Sequence, residues 1–208
     1  MQKYITLIVK LIRLTYTILR IRLNKFYTFG LFYSNNVQFK NFNTNGIPYV
    51  MVARGGICII GDKFKMNNGL HGNPIGRPQP CIFFVDKGAA LQIGNNVGMS
   101  ATAIVAHHSI TIGDNVKIGG GVCIYDTDFH TLDAKARANS KLDIVLKNKA
   151  PVFIGDNVFI GAHSTILKGV TIGQNSIIGA CSVVTKSISS NEIWAGNPAQ
   201  LIKIINQT

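Results

Sequence analysis

Residues 154–189 read IGDNVF, IGAHST, ILKGVT, IGQNSI, IGACSV and VTKSIS, which are six consecutive blocks of six residues. Every block begins with Ile or Val, and Gly follows in four of the six. A strict period of six fits neither an isolated helix nor a simple strand, and it indicates a repeat protein. We read each block as a short strand with an inward aliphatic side chain, followed by a turn where Gly, Asp or Asn tolerates positive φ. Three blocks per coil predict an all-β solenoid of three parallel sheets around an aliphatic interior.

The same register defines the extent of the solenoid. Ile112 precedes Ile154 by 42 residues, which is seven blocks of six. The fifth position of each block is small or aliphatic and is predicted to lie beside the inward residue: Val158, Ser164, Val170, Ser176, Ser182 and Ile188. We predict a solenoid domain over residues 57–205, preceded by a basic amphipathic helix at 1–29 and by a connector or irregular first coil at 30–56.

Two segments depart from the repeat. Residues 126–150 are polar and charged and break the hexad register, so they are predicted to form a loop that leaves the solenoid. Long loops on a rigid scaffold often carry function. Residues 66–80 are rich in Gly, Asn and Pro and predict another loop. After a turn-rich exit at 187–198, residues 201–205 are predicted to form a short strand or helix that caps the open end of the core.

The composition restricts the class of protein. The 208 residues suit one sizeable domain with a short appendage, and the formal net charge is +12. Residues 1–65 hold ten Lys or Arg against one acid, Asp62. This excess lies in an apolar segment rather than among stacking aromatics, so we expect no nucleic-acid partner. The four cysteines have no paired spacing, which favours reduced thiols in the cytoplasm.

The N-terminal segment has a broad apolar face. At 100° per residue, one stripe of the predicted helix is polar: Lys3, Thr6, Lys10, Arg13, Thr17, Arg20 and Asn24. The wide apolar remainder is not expected to stay exposed on a monomer. The basic residues interrupt any run long enough for a transmembrane span, and they also argue against a secretory signal. Two interpretations stay open: a helix lying in the plane of a membrane, or a helix packed on the solenoid or on neighbouring subunits.

The segments IGDNVFIGAHSTILKGVTIG, SVVTK and AGNPA resemble the hexapeptide-repeat acyltransferases. The resemblance covers about residues 57–205 and is strongest to the maltose, galactoside and capsular-polysaccharide O-acetyltransferases. It implies a left-handed parallel β-helix, a homotrimer, acetyl-CoA as donor and active sites between neighbouring subunits. The left hand comes from the resemblance alone, because parallel crossovers in sheets are usually right-handed.

The resemblance places the catalytic histidine at His130, in DTDFHTLD, where the loop leaves the coil. Acetyl transfer from a thioester to a hydroxyl needs a base, and imidazole is suited to that role at neutral pH. Asp126 and Asp128 precede His130 at intervals of two, so an extended strand would put all three side chains on one face. One carboxylate could then orient the imidazole or bind the acceptor, although turn-forming aspartates are an equal alternative.

The remaining site residues are carried over from the resemblance. Backbone groups beside Ala162, Gly179 and Ala180 are expected to hold the pantetheine arm, where small side chains permit close approach. Thr185 and Lys186 match positions near the adenosine end of CoA, and Lys203 matches a phosphate contact. Ser100 is expected to contact the acceptor. The roles of His107, His108 and His163 stay open, and no metal requirement is expected, because paired ligand spacing is absent.

These observations predict an acetyl-CoA-dependent O-acetyltransferase. The expected acceptor is a sugar hydroxyl, free or on a lipid-linked saccharide, in capsular or other surface-polysaccharide biosynthesis. The expected location is cytoplasmic, with peripheral attachment to the inner face of the membrane as one interpretation of the helix. Alternatives are transfer to another small acceptor (an amino sugar, serine or an antibiotic) and a non-catalytic solenoid scaffold.

Overall fold

The computed structural model describes residues 2–73 and 75–206, and within them the chain winds into coils of three strands each. Sheet A contains β1 (Gln38–Phe39), β4 (Ile57–Ile60), β7 (Ala90–Ile93), β10 (Ser109–Ile112), β13 (Val152–Ile154) and β16 (Thr171–Ile172). Sheet B contains β2 (Phe42–Asn45), β5 (Phe64–Asn67), β8 (Gly98–Ser100), β11 (Lys117–Ile118), β14 (Phe159–Ile160) and β17 (Ile177–Ile178), followed by β19 (Glu192–Gly196) and β20 (Ala199–Ile204). Sheet C contains β3 (Tyr49–Val52), β6 (Ile82–Val85), β9 (Ala103–Ala106), β12 (Cys123–Tyr125), β15 (Thr165–Ile166) and β18 (Val183–Val184).

Neighbouring strands within each sheet are parallel, apart from the final β19–β20 pair. Three parallel sheets with a six-residue period form a parallel β-helix, as the repeat predicts. We name its corners by the sheets they join. The A–B corners include 155–157 and 173–175, the B–C corners include 161–163 and 179–181, and the C–A corners include 126–150 and 185–187. The left-handed winding stays a prediction from the resemblance.

The predicted inward positions form the core. The first residues of the six blocks, Ile154, Ile160, Ile166, Ile172, Ile178 and Val184, are all completely buried. Each stacks on its equivalent one coil away, as Ile154 does on Ile172. The fifth positions are buried as well, and their serines are satisfied by backbone oxygens: the Ser164 and Ser182 hydroxyls both donate to the Gly179 carbonyl. Buried hydroxyls therefore cost little here, because each has an acceptor within the coil.

The A–B corners confirm the predicted positive φ for asparagine, whereas Gly155 and Gly173 at the same corners do not adopt it. Asn115, Asn157 and Asn175 all adopt positive φ, between 59° and 61°. This left-handed conformation is one that asparagine tolerates better than most residues. Their side chains also connect successive coils, since the Asn157 amide donates to Asn175 over 3.0 Å. The corners are thus aligned into columns that run along the solenoid.

The N-terminal helix α1 spans Gln2–Ser34 and continues past the predicted boundary at residue 29. The chain then forms a complete first coil from β1, β2 and β3. Only the C-terminal part of α1 packs tightly: Phe32 is fully buried, with its ring centroid 5.3 Å from Phe39 and 5.1 Å from Phe42. Within residues 2–73 and 75–206, no helix has both the length and the apolar character needed to cross a membrane.

The two predicted loops contain short helices. Helix α2 (Gly69–Gly72) lies in the first, and α3 (Ala134–Arg137) and α4 (Ser140–Leu146) lie in the second. We call residues 126–150 the excursion, because an antiparallel bridge between Thr127 and Lys149 closes its base at the C–A corner. Side chains of Asp133 and Asn139 accept hydrogen bonds at the starts of α3 and α4. Local capping therefore gives order to a segment that is too polar to join the core.

The C-terminal cap is the part of the predicted architecture that is wrong in its placement. Residues Ala199–Ile204 do form the short strand β20, which pairs antiparallel with β19. However, β20 extends sheet B instead of lying across the interior, and Leu201, Ile202 and Ile204 are exposed. The edge of β19 provides backbone partners that the open end of the core lacks, so pairing determines where the strand lies.

The stacked interior makes a stability prediction. Replacing Ile172 with Ala should lower the free energy of unfolding by about 2–5 kcal/mol, because it leaves a cavity between two coils. Replacing its exposed neighbour Thr171 with Ala should change it by less than about 1 kcal/mol. Denaturant unfolding can be followed by the fluorescence of Trp194, the single tryptophan of the chain. Equal effects of the two substitutions would contradict the assignment of Ile172 to the core.

Candidate functional site

Asp126 lies at the base of the excursion and is completely buried. Its two carboxylate oxygens accept hydrogen bonds from the backbone N–H groups of His107, at 2.7 Å, and His108, at 2.8 Å. The carboxylate therefore holds the neighbouring C–A corner in place. This contact corresponds to the turn-forming alternative considered for the sequence.

Asp128 connects the excursion to the next coil. One of its oxygens lies 2.7 Å from the Lys168 ammonium, and the other accepts from the Asn148 amide at 3.2 Å. The interpretation that Asp126 or Asp128 orients the His130 ring is wrong. Phe129 adopts a φ of 64°, so the strand does not stay extended and the alternation of side chains ends before His130.

The residue that contacts His130 is Asp143, on α4. The His130 Nδ1 atom lies 2.7 Å from Asp143 Oδ2, while Asp143 Oδ1 accepts the backbone N–H of Thr131 at 2.8 Å. The hydrogen bond from His130, followed by the one from Thr131, lowers the pKa of Asp143. An ionised carboxylate at Nδ1 favours a proton on that nitrogen, which leaves Nε2 as the basic atom of the ring.

The His130 side chain is 67% exposed, whereas that of Asp143 is only 13% exposed. The ring is thus accessible to a ligand, and its partner is held within the excursion. Sequence reasoning missed Asp143, which lies in the segment predicted as a loop. The available signal was Asn139, a favourable N-cap residue whose side chain accepts from Lys141 and Leu142 at the start of α4.

His107 contacts the end of the excursion through Lys147. Its Nδ1 atom lies 2.8 Å from Asp86 and 3.1 Å from the Lys147 ammonium, and its ring stacks on Phe84. Burial and then the charge of Lys147 lower the pKa of His107, although Asp86 opposes this. His108 is exposed, with Nδ1 2.9 Å from the Ser109 hydroxyl. These contacts account for both side chains as parts of the corner.

The B–C corner carries a different group of predicted residues. Ala162, Gly179 and Ala180 lie there, in two successive coils. The adjacent His163 adopts a φ of 63°, and its Nε2 atom is 3.3 Å from two nitrogens of the Arg77 guanidinium. A Cβ added to Gly161 would collide with the Ala180 backbone, so successive coils pack closely at this corner.

Ser100 lies at the end of β8, also at a B–C corner. Its hydroxyl accepts from the Asn67 amide at 3.0 Å. It lines a shallow groove of about 330 Å³ on the outer face of sheet B, together with Lys65, Lys117 and Phe159.

The predicted site residues therefore divide between two corners of the prism. The C–A corner holds His130, Asp126, Asp128, Thr185 and Lys186, and the B–C corner holds Ser100, Ala162, Gly179 and Ala180. Sheet C separates them, and its five or so residues per coil span on the order of 15 Å. Lys203 is exposed on β20, beyond sheet B. A single chain does not bring these groups together.

Over residues 2–73 and 75–206, no group of three or more His, Cys, Asp or Glu side chains could hold a metal ion.

Two family models match the repeat. The model described as "Bacterial transferase hexapeptide (six repeats)" matches residues 151–186, and the "Hexapeptide repeat of succinyl-transferase" matches residues 91–126. Both matched segments lie within the solenoid, one on each side of the excursion. A strict six-residue register holds in part of the segment at 91–126, from Ile112 to Ile124, and through most of the segment at 151–186, from Ile154 to Val184.

Individual proteins extend the similarity beyond the repeat. The galactoside O-acetyltransferase of Escherichia coli K12 is 40% identical over 129 residues, which are 62% of this chain and 60% of that protein. The E. coli K12 protein named "Putative lipopolysaccharide biosynthesis O-acetyl transferase WbbJ" is 32% identical over 158 residues, 74% of this chain and 76% of its own length. A solved galactoside acetyltransferase in complex with coenzyme A matches with a TM-score of 0.51 and 30% identity, over 81% of this chain and 66% of that one.

The similarity to WbbJ extends over most of both chains, whereas the match to the galactoside enzyme spans about three fifths of each. The similarity to WbbJ, together with the two hexapeptide models and the three parallel sheets, establishes which family the chain is related to. The chain belongs to the hexapeptide-repeat acyltransferase family.

Proposed function

We propose that this protein is an acetyl-CoA-dependent O-acetyltransferase acting on a sugar hydroxyl in the assembly of a capsular or other surface polysaccharide. The observation that carries the proposal is the His130–Asp143 pair, which presents an accessible imidazole at the edge of the solenoid. Relatives named as galactoside and lipopolysaccharide O-acetyltransferases support the acceptor class. The similar galactoside acetyltransferase that holds coenzyme A supports the donor.

The chemistry follows from the ring and its partner. His130 Nε2 accepts the proton of the acceptor hydroxyl while that oxygen attacks the thioester carbonyl. The new C–O bond forms, the C–S bond breaks, and the imidazolium returns its proton to the departing CoA thiolate. Asp143 stabilises the positive ring and fixes which nitrogen faces the acceptor. No covalent acyl-enzyme is needed, because the thioester is already activated.

The division of the predicted residues between two corners supports a site shared by subunits. In a homotrimer, the B–C corner of a second copy can face the C–A corner that carries His130. The second copy would then supply Ala162, Gly179 and Ala180 along the pantetheine arm, opposite Thr185 and Lys186. Residues 57–205, wound as a left-handed β-helix, would form the catalytic domain. Asp126, Asp128, Ser100 and Lys203 remain proposed ligand contacts on either side of this cleft.

Four free cysteines fit a reducing cytoplasm, where acetyl-CoA is available.

Asp126 and Asp128 already have partners within the chain, so any acceptor contact would share an occupied carboxylate. Asp128 is the better candidate of the two, because Asp126 is completely buried.

Removal of the ring should abolish most of the activity. His130→Ala is expected to lower kcat/KM by about 10²–10⁴, the usual contribution of a positioned general base. Asp143→Ala should cost about 10–100-fold, because it removes one charge-assisted hydrogen bond. Thiol release from acetyl-CoA in the presence of a sugar acceptor measures both effects. His71→Ala is the matched control: His71 lies on α2, at a different corner of the prism from the excursion and three coils before Ala162, and its exposed side chain should be dispensable. Activity of His130→Ala at the level of His71→Ala would remove His130 from the mechanism.

The shared site makes a separate prediction. His130→Ala inactivates the C–A corner, and Ala180→Trp should block the exposed B–C corner. Co-expressed in equal amounts, the two inactive variants should form mixed trimers with about one third of the wild-type activity, because a trimer that contains both variants has two intact corners at one of its three sites.

Differently tagged chains allow the mixed trimers to be purified before their acetyl transfer is measured. If each site lay within one chain, every site in a mixed trimer would still contain one of the two inactivating substitutions. Mixed trimers no more active than the parent variants would therefore contradict the shared site.

A further inference from the structure

The orientation of α1 is unusual, because its polar stripe faces its own solenoid. The Arg20 guanidinium donates to Asn45 Oδ1 at 3.4 Å and to the His71 carbonyl at 3.0 Å. Lys25 donates to Asn43 Oδ1 at 3.4 Å, and Thr28, one turn further along the same stripe as Asn24, is fully buried. The first two coils offer these polar groups at their surface, so the apolar side of the helix is turned outward.

The outward side is apolar over its whole length. Every large apolar side chain from Tyr4 to Leu23 is exposed, by 37% at Ile21 up to 73% at Tyr4. Residues 2–16 are all exposed, so this part of α1 projects beyond the coil, over roughly 20 Å at 1.5 Å per residue. A continuous apolar surface of this extent indicates an interaction site. Packing on the chain's own solenoid, one of the alternatives for this helix, therefore does not cover it.

Two partners remain for the apolar side of α1, a second copy of the chain and a lipid membrane, and the charge of the helix distinguishes between them. The helix contains six Lys or Arg and no acidic residue, and the first acid of the chain is Asp62. A second copy would bring an equally basic helix against this one, so like charges would oppose the contact. An anionic lipid surface is complementary to both properties, because it takes up the apolar face and attracts the basic side chains.

The positions of the basic residues match this arrangement. At 100° per residue, Lys3 and Lys10 lie along one margin of the apolar face and Arg13 lies along the other. Their long side chains can reach headgroup phosphates while the helix lies in the plane of the interface. Arg22 falls within the apolar face and marks where the inserted segment ends.

We propose that residues 4–19 of α1 lie in the interface of an anionic lipid bilayer, with the apolar side inserted and Lys3, Lys10 and Arg13 at the level of the headgroups. The solenoid is then held beside the membrane by the contacts of Arg20, Lys25 and Phe32. The proposal rests on the geometry of α1 and is independent of the catalytic assignment. It also gives the enzyme access to acceptors that are attached to membrane lipids.

The test compares two variants of the full-length protein. Ile8→Glu places a negative charge on the apolar side, and Thr6→Glu places the same charge two residues away on the polar side. Both positions are exposed, and the Thr6 hydroxyl contacts only the backbone of its own helix, so neither change should affect folding. Flotation with phosphatidylglycerol–phosphatidylcholine vesicles and with pure phosphatidylcholine vesicles measures binding, and circular dichroism checks the fold.

The wild type should float with the anionic vesicles and at least tenfold less with the neutral ones, with binding reduced by salt. Ile8→Glu should weaken binding to anionic vesicles about tenfold or more, and Thr6→Glu less than about threefold.

Absence of wild-type flotation, equal binding to both kinds of vesicle, or equal effects of the two substitutions would each overturn the proposal. A change of oligomeric state in Ile8→Glu without any vesicle binding would assign the face to a second copy. Acetyl transfer to a water-soluble sugar should be unchanged in Ile8→Glu, so this result and a failure of the catalytic proposal can be told apart.

Discussion

The structure depends on one packing constraint: each coil can bury its inward aliphatic residue only against the equivalent residues of the coils before and after it. Ile154, for example, stacks between Ile112 and Ile172 in sheet A. An inward residue every six positions, with a turn between, keeps all three sheets in register over residues 154–184, and longer intervals keep the same pairing by adding residues at the corners, as between Ile112 and Ile154. The corners are consequently fixed in columns, and a rigid scaffold of this kind cannot bend to bring two corners together. Any chemistry must use side chains at a corner, a segment that leaves the coil, or a second copy of the chain.

The sequence could predict whatever this constraint determines locally. The inward Ile positions, the small fifth positions and the left-handed Asn corners all follow from the period of six, and all occur as expected. The break in the register also located the excursion and His130, because a polar segment cannot replace an inward strand. The placement of β20 was harder to predict from the sequence, because the last residues could either cover the open end of the core or pair with a free strand edge. Here the free edge of β19 offers the backbone hydrogen bonds.

What the sequence could not predict involves residues that meet only after the chain folds back. The His130–Asp143 contact needs the positive φ of Phe129, which ends the strand, and the capping of α4 by Asn139. Neither has a periodic signal. The orientation of α1 is a similar case: the pattern defines a polar stripe and an apolar face, but apolar faces usually pack inward. Here Asn43 and Asn45 of the first coil and the His71 carbonyl of the second offer polar partners, so the usual expectation is reversed.

These two unpredicted features have a common cause. A solenoid with a filled interior has no internal cavity for a substrate, so its binding surfaces must lie outside, where side chains have fewer neighbours to hold them in position. The excursion solves this locally, because Asp143 is largely covered and fixes the exposed ring of His130. The polar contacts of Arg20 and Lys25 solve it for α1, because they hold a projecting apolar helix in one orientation without burying its apolar side. In both places, a polar contact orients the surface that is proposed to bind a ligand. Asp143 does this for the His130 ring within the excursion, and Arg20 and Lys25 do it for α1, together with the buried ring of Phe32.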